Sequence, residues 1–316
     1  MTCPSPPPGP PRPVPSSLEH TTRMSEPVPG DPVATPDRTP LHPLPAADPF
    51  APDFVELEDE LGPGRRWSTW DDIGVLAGPE PWPAWLVTES AAVDTELGVL
   101  KTGKEADVFL LERAVPGADG VVLAAKRYRG TDHRLFHRDA GYTEHRRMRN
   151  TRDRRAAAKG TRWGRAVEAG QWATAEFDHL SRFWSAGLPV PYPVQLDGTE
   201  ILMELVTLED GSTAPRLAQT RPAPDLLARY WEQLVAAMRV MAGMGLAHGD
   251  LSPFNVLATE DRLVLIDVPQ AVDVVGSTSG VEFLARDCRN VATWFRARGL
   301  DVDAEELLAD LLSHAF

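Results

Sequence analysis

The amino-acid sequence predicts an α+β protein in two lobes, a small strand-rich one followed by a mainly helical one, with a cleft between them. Three observations carry that expectation. Short apolar runs broken by turn residues crowd the stretch 98–128, apolar residues at helical spacing dominate from 225 onward, and no repeat connects the two halves.

Ahead of this, residues 1–64 hold 18 of the 30 prolines and no sustained periodicity, which reads as a disordered leader. Domain structure is expected from about residue 65, where Trp67, Trp70, Trp82 and Trp85 appear close together. Trp85–Leu97 has apolar spacing that suits a short helix. Strands follow at Gly98–Leu100, Ala106–Leu111 and Val121–Tyr128, the first two joined by a turn at Thr102-Gly103-Lys104. Residues 126–165 carry 14 Lys or Arg against 4 Asp or Glu, so a basic insertion is placed at about 129–165.

From Gly170 to Ala186 the residues Phe177, Leu180 and Trp184 share a helical face, with Glu176 beside it and a stop at Gly187. Strands are expected at Tyr192–Leu196 and Ile201–Val206, and a helix at Asp225–Met241 with Leu227, Tyr230, Leu234 and Met238 inward. Leu263–Ile266 reads as a strand. Ser279 and Glu282 have the spacing of a capping box for a helix aligning Leu284, Cys288, Val291 and Phe295, and a last helix uses Leu307, Leu308, Leu311 and Leu312. The small lobe would span about 82–203 and the helical lobe about 207–316.

Composition narrows the function classes. A net charge of -14 disfavours wholesale attraction to nucleic acid or anionic membrane. Two cysteines, Cys3 and Cys288, make no disulfide framework. Without a run of about eighteen apolar residues there is no membrane span to assign, and a cytoplasmic protein is the expectation.

The chemistry concentrates in His248-Gly249-Asp250-Leu251-Ser252-Pro253-Phe254-Asn255 and in Leu263-Val264-Leu265-Ile266-Asp267. Asn255 lies five residues after Asp250, and Asp267 ends an apolar strand twelve residues after that. Phosphoryl transfer needs a carboxylate at the acceptor hydroxyl, which suits Asp250, and oxygen ligands for Mg2+, which suit Asn255 and Asp267. This is the spacing of a kinase catalytic loop and metal loop. Lys126 ends a strand and is a candidate for the α- and β-phosphates of ATP, with Glu176 as the carboxylate that keeps it charged. Gly103, Lys104 and Val108 lie in a hairpin that would cover the nucleotide. It has a single turn glycine, and an ordinary hairpin is the competing reading. Ala124 together with Met203, Glu204 and Val206 would frame adenine at an inter-lobe hinge, although a half-buried strand explains the latter three equally well.

With these residues assembled, the chain resembles the RIO family of atypical serine/threonine protein kinases over roughly Trp82 to the C-terminus. The resemblance rests on GKEADVF at 103–109, HGDLSPFNVL at 248–257, LIDVPQAV at 265–272 and RDCRNVATWF at 286–295. It implies a two-lobed protein-kinase-like fold with ATP and Mg2+ in the cleft. Lys126 would hold phosphate, Glu176 would orient it, Asp250 would act at the acceptor, and Asn255 with Asp267 would bind metal. It further implies autophosphorylation or ATP hydrolysis, an aspartyl phosphate at Asp267, and a link to small-ribosomal-subunit maturation. The last directs attention to RNA contact by residues 129–165. The chain has Val268-Pro269 after Asp267 and no A-P-E beyond, so activity on outside peptide substrates is not implied. Two rivals stay open: a small-molecule phosphotransferase resembling aminoglycoside or choline kinases, and a nucleotide-binding scaffold without turnover. Only about 45 residues separate Glu204 from Asp250 and 49 follow Asp267, little room for the acceptor pocket of the former.

Overall fold

The computed structural model describes residues 61–129, 162–269 and 271–316, with the side chains of 162–166 excepted. Almost all of the proline-rich leader and of the basic insertion therefore lie outside the described residues, as does Gln270.

The first half builds a seven-stranded antiparallel sheet from β1 (Arg65–Trp67), β2 (Leu76–Ala77), β3 (Val93–Thr102), β4 (Ala106–Ala114), β5 (Val121–Tyr128), β6 (Pro193–Asp197) and β7 (Glu200–Glu204), ordered β1-β3-β4-β5-β7-β6-β2. The sheet takes in β1 and β2, both ahead of residue 82. The pleat sends alternate residues to opposite faces. Leu111, Leu123, Ala125, Val194 and Leu202 on one face pack with Trp70 and Tyr192. Ala106, Tyr128, Leu196 and Ile201 on the other meet Ala169, Ala173 and Phe177 of α1 (Arg162–Ser185).

The expected helix over Trp85–Leu97 does not form. Residues from Val93 join β3 instead, because Val93 and Asp94 are buried in the ladder and Asp94 meets Arg113 directly across it. Arg113 is wholly buried and donates to both Asp94 oxygens at 2.7 and 2.9 Å and to Gln195 Oε1 at 2.8 Å. An unpaired charge there would be costly, so the pairing dictates an extended backbone.

The second half packs α2 (Pro224–Gly243), α3 (Gly280–Arg296) and α4 (Ala304–Ala315) around one large core that also takes Leu180 and Phe183 from α1. Leu227, Tyr230, Leu234 and Met238 of α2 face inward as their spacing requires. Pro224 opens α2, where its missing N–H costs nothing. Asp303 caps α4, accepting from Glu305 N at 2.8 Å and Glu306 N at 3.1 Å. The capping box expected at Ser279 is absent: Ser279 sits at φ -102°, ψ 2° and its side chain caps nothing. Close packing sets that helix start, since a Cβ on Gly280 would come within 2.5 Å of Asp273 O.

Short strands complete this half: β8 (Leu246–Ala247) with β11 (Val272–Asp273), and β9 (Val256–Ala258) with β10 (Leu263–Leu265). They bracket the two segments in which the candidate chemistry lies. Among the described residues no helix is long and apolar enough to cross a membrane.

Candidate active site

Lys126 stands in β5 opposite Val108 of β4 and Ile201 of β7, which puts its side chain on the sheet face that α1 covers. Glu176 comes from the buried side of α1. Lys126 Nζ donates to Glu176 Oε1 at 2.6 Å and to Asp267 Oδ1 at 3.0 Å. Tyr128, two residues along the same face, donates its hydroxyl to the other Glu176 oxygen. Burial pulls the ammonium of Lys126 down, but Glu176 and then Asp267 outweigh it, so its pKa rises above the ordinary lysine value and the group is cationic. In the sequence, Tyr128 is marked only by its i+2 spacing from Lys126.

Asp267 is the sole non-glycine residue with positive φ among the described residues, at 65°. Such a conformation in an aspartate marks a site where the surroundings over-determine the backbone. It leaves the carboxylate about half exposed, at 49%, while its other side meets Lys126. Burial pushes this carboxyl up, yet Lys126 more than cancels that and holds it below the usual range.

Asp250 and Asn255 form the second part. Asn255 Nδ2 donates to Asp250 O at 2.8 Å and reaches Asp250 Oδ2 at 3.3 Å, which leaves the amide oxygen as the acceptor still available. The two parts are tied together by backbone: Ile266 N donates to Asn255 O at 3.0 Å, and His248 Nε2 lies 3.1 Å from Ile266 O. Burial holds the His248 imidazole below its ordinary pKa, so it serves as a neutral brace. All five polar candidates, Lys126, Glu176, Asp250, Asn255 and Asp267, are thus joined through this short chain of contacts.

Asp287 of α3 carries no sequence mark of a site residue, though it lies within the RDCRNVATWF segment. It is fully buried and accepts from Gly249 N and Leu251 N, each at 2.8 Å, gripping the loop on both sides of Asp250. Arg286 donates to Gly249 O, and Asn290 Nδ2 to Leu251 O at 3.0 Å. Burial pushes the Asp287 carboxyl up to about 7. Nothing in local spacing marks it, because its partners lie 36 and 38 residues upstream.

The hairpin turn closes with Gly103 N donating to Ala106 O at 3.0 Å, and a Cβ on Gly103 would meet that oxygen at 2.7 Å. Lys104 follows it in the turn, exposed. Ala124 pairs with Met203 across β5 and β7, on the same face as Lys126 and next to the lysine along the strand. Val206 is buried against Ala214 and Val264. Glu204 N donates to Tyr192 O at 2.9 Å and its carboxylate accepts from Tyr192 N at 3.1 Å, so this residue secures the strand end.

A family model described as the RIO domain matches residues 122–307, more than half of the chain. The chain belongs to the RIO family. The RIO-type serine/threonine-protein kinase Rio1 of Haloferax volcanii is 36% identical over 223 residues, 70% of this chain and 70% of that relative. Serine/threonine-protein kinase RIO1 of Chaetomium thermophilum is 31% identical over 215 residues, 65% of this chain but 40% of the relative. Among solved structures, the Rio2 kinase-ADP/Mg2+-phosphoaspartate complex from Chaetomium thermophilum matches with a TM-score of 0.45 and 22% identity, covering 69% of this chain and 65% of that one. The RIO domain of this chain is of the kinase class of phosphotransferase.

Among the described residues no cluster of three or more His, Cys, Asp or Glu forms a self-sufficient metal cage. The amide oxygen of Asn255 and the half-exposed carboxylate of Asp267 are donors that could hold Mg2+, which takes few protein oxygens and completes its shell with phosphate and water.

Proposed function

We propose that this chain is an ATP- and Mg2+-dependent phosphotransferase that transfers the γ-phosphoryl group to a serine or threonine hydroxyl of itself or of a protein partner, or to water. The observation that carries the reading is Lys126 bridging Glu176 and Asp267, with Asp250 and Asn255 held one backbone contact away. Lys126 would bind the α- and β-phosphates, and the paired Glu176 would keep its ammonium charged and aimed into the cleft. Gly103, Lys104 and Val108 would close over the nucleotide, while Ala124, Met203, Glu204 and Val206 would bound the adenine. Asp250 would take the acceptor hydroxyl proton as the new P–O bond forms and the bond to the β-phosphate oxygen breaks, releasing ADP. Mg2+, when bound by Asn255 and Asp267, would neutralise charge on the phosphates.

A second acceptor is Asp267 itself. Its carboxylate is about half exposed and contacts the phosphate-binding lysine, so attack on the γ-phosphorus would yield an aspartyl phosphate for water to hydrolyse. Magnesium-dependent phosphate release and self-labelling from ATP test both routes, comparing the native protein with Asp250→Ala and Asp267→Asn. Loss of turnover in both variants is expected. A hydroxylamine-labile label would assign the aspartate route, and a stable one a hydroxyl. Native protein that binds ATP without any turnover would overturn the enzyme reading in favour of a nucleotide-binding scaffold.

Residues 129–165 support a further part of the proposal, contact with RNA or a ribosomal particle, through their excess of arginine and lysine in an otherwise acidic chain. Binding that weakens steeply with salt is the expected signature, and a flat response would remove this part. A cytoplasmic setting fits the same reading.

A further inference from the structure

We infer that Arg216, acting with Lys101, takes the terminal phosphate of a nucleoside triphosphate and makes the cleft selective for the triphosphate over the diphosphate. The inference rests on the ATP site proposed above and adds two residues to it.

Lys101 reaches the site through an irregularity in β3. The β3–β4 ladder shifts register between Val99 and Lys101, so that Lys101, rather than Leu100, comes to lie opposite Val108. Val108 in turn lies opposite Lys126. Directly opposed residues of antiparallel strands share a face, so Lys101 and Lys126 project from the same face, two strand spacings or about 10 Å apart. A bulge that re-aims one side chain beside a site is a common device.

Arg216 arrives from the helical half. Its backbone bridges to Leu257, two residues beyond Asn255, while Pro215 O accepts from Ala258 N at 2.9 Å and Ala218 N donates to Pro253 O at 2.9 Å. The segment is therefore laid along the loop that carries Asp250 and Asn255. The guanidinium and the Lys101 ammonium each sense the other's charge or that of Asp267: partial burial and then Arg216 lower the lysine, and partial burial lowers the arginine against the pull of Asp267.

The charge balance points to the ligand. Glu176 is taken up by Lys126 and Tyr128, and Asp267 is already engaged by Lys126. Among the described residues, the ion pairs within 4.0 Å include neither Lys101 nor Arg216. Two cations without a paired carboxylate thus face a cleft whose other cation would hold the inner phosphates. A terminal phosphate supplies the missing negative charge, and a planar guanidinium can meet two of its oxygens at once.

The test measures binding of Mg-ATP and Mg-ADP to the full chain by calorimetry for the native protein, Arg216→Gln, Arg216→Lys and Lys101→Gln, with thermal unfolding to check folding. Arg216→Gln is expected to weaken ATP about tenfold and ADP less than twofold, with Lys101→Gln acting in the same direction. Arg216→Lys should recover part of the ATP affinity. Equal weakening of ATP and ADP, or an unchanged ratio in both Gln variants, overturns the inference. Native protein that binds neither nucleotide refutes the ATP site itself, and that result is read before any variant is compared.

Discussion

Replacing Asp287 by Asn tests whether a buried carboxyl outside the reacting set governs the loop that carries Asp250. In the native fold the group is fully buried and its pKa is raised from 3.8 to about 7. A raised acid pKa means the folded state holds a proton that the unfolded state has lost, so stability falls as pH climbs from about 4 to 7 and stays lower above that. Three pKa units correspond to about 4 kcal/mol as a ceiling on that loss. Asn is neutral at every pH but offers one acceptor where two backbone N–H groups, from Gly249 and Leu251, need one each. One buried N–H is left unsatisfied, at about 1–3 kcal/mol. The variant should therefore be less stable than the native protein by about 1–3 kcal/mol at pH 5, and the gap should close or reverse by pH 9. Turnover should drop about tenfold from a loosened loop, roughly 1.4 kcal/mol of barrier. Urea unfolding at pH 5, 7 and 9 with ATPase assays at each pH reads both effects. A stability gap that stays constant across that range would refute the buried titration, and an unchanged kcat would refute the anchoring role.

Two further outcomes separate the site from its scaffold. Lys126→Met should abolish nucleotide binding and destabilise the fold by about 3 kcal/mol, because Glu176 is left buried with only Tyr128 as a donor; adding Glu176→Gln should restore stability without restoring binding, and calorimetry with denaturant melts measures each. Arg113→Met should cost about 3 kcal/mol by leaving the buried Asp94, on the far side of the sheet from the cleft, with only Arg66 at 3.6 Å as a charge partner, while ATP affinity under folding conditions remains native; a weakened affinity would show that this network shapes the site.

The proposed reacting set is legible because its members lie in two short segments with characteristic spacing. Asp250, Asn255 and Asp267 are separated by fewer than twenty residues, and an apolar strand leading to a carboxylate is visible in any reading of Leu263–Asp267. Lys126 and Glu176 are readable by element type, a strand-end lysine and a polar residue beside a helical stripe. The helices of the second half were likewise readable, since a 3.6-residue apolar period over 12–20 residues admits few other structures.

What sequence determined by itself was the identity of the chemical groups and the class of each long element, because both are encoded within a few turns of chain. Tertiary structure alone decided the rest. It turned Val93–Leu97 into strand because Asp94 had to meet Arg113, started α3 by backbone contact at Gly280, twisted Asp267 to φ 65°, and brought Asp287 from α3 to both flanks of Asp250. The Asp94–Arg113 and Asp287 contacts depend on partners many residues away, and a buried polar group takes whatever partner the fold supplies, wherever in the chain it originates.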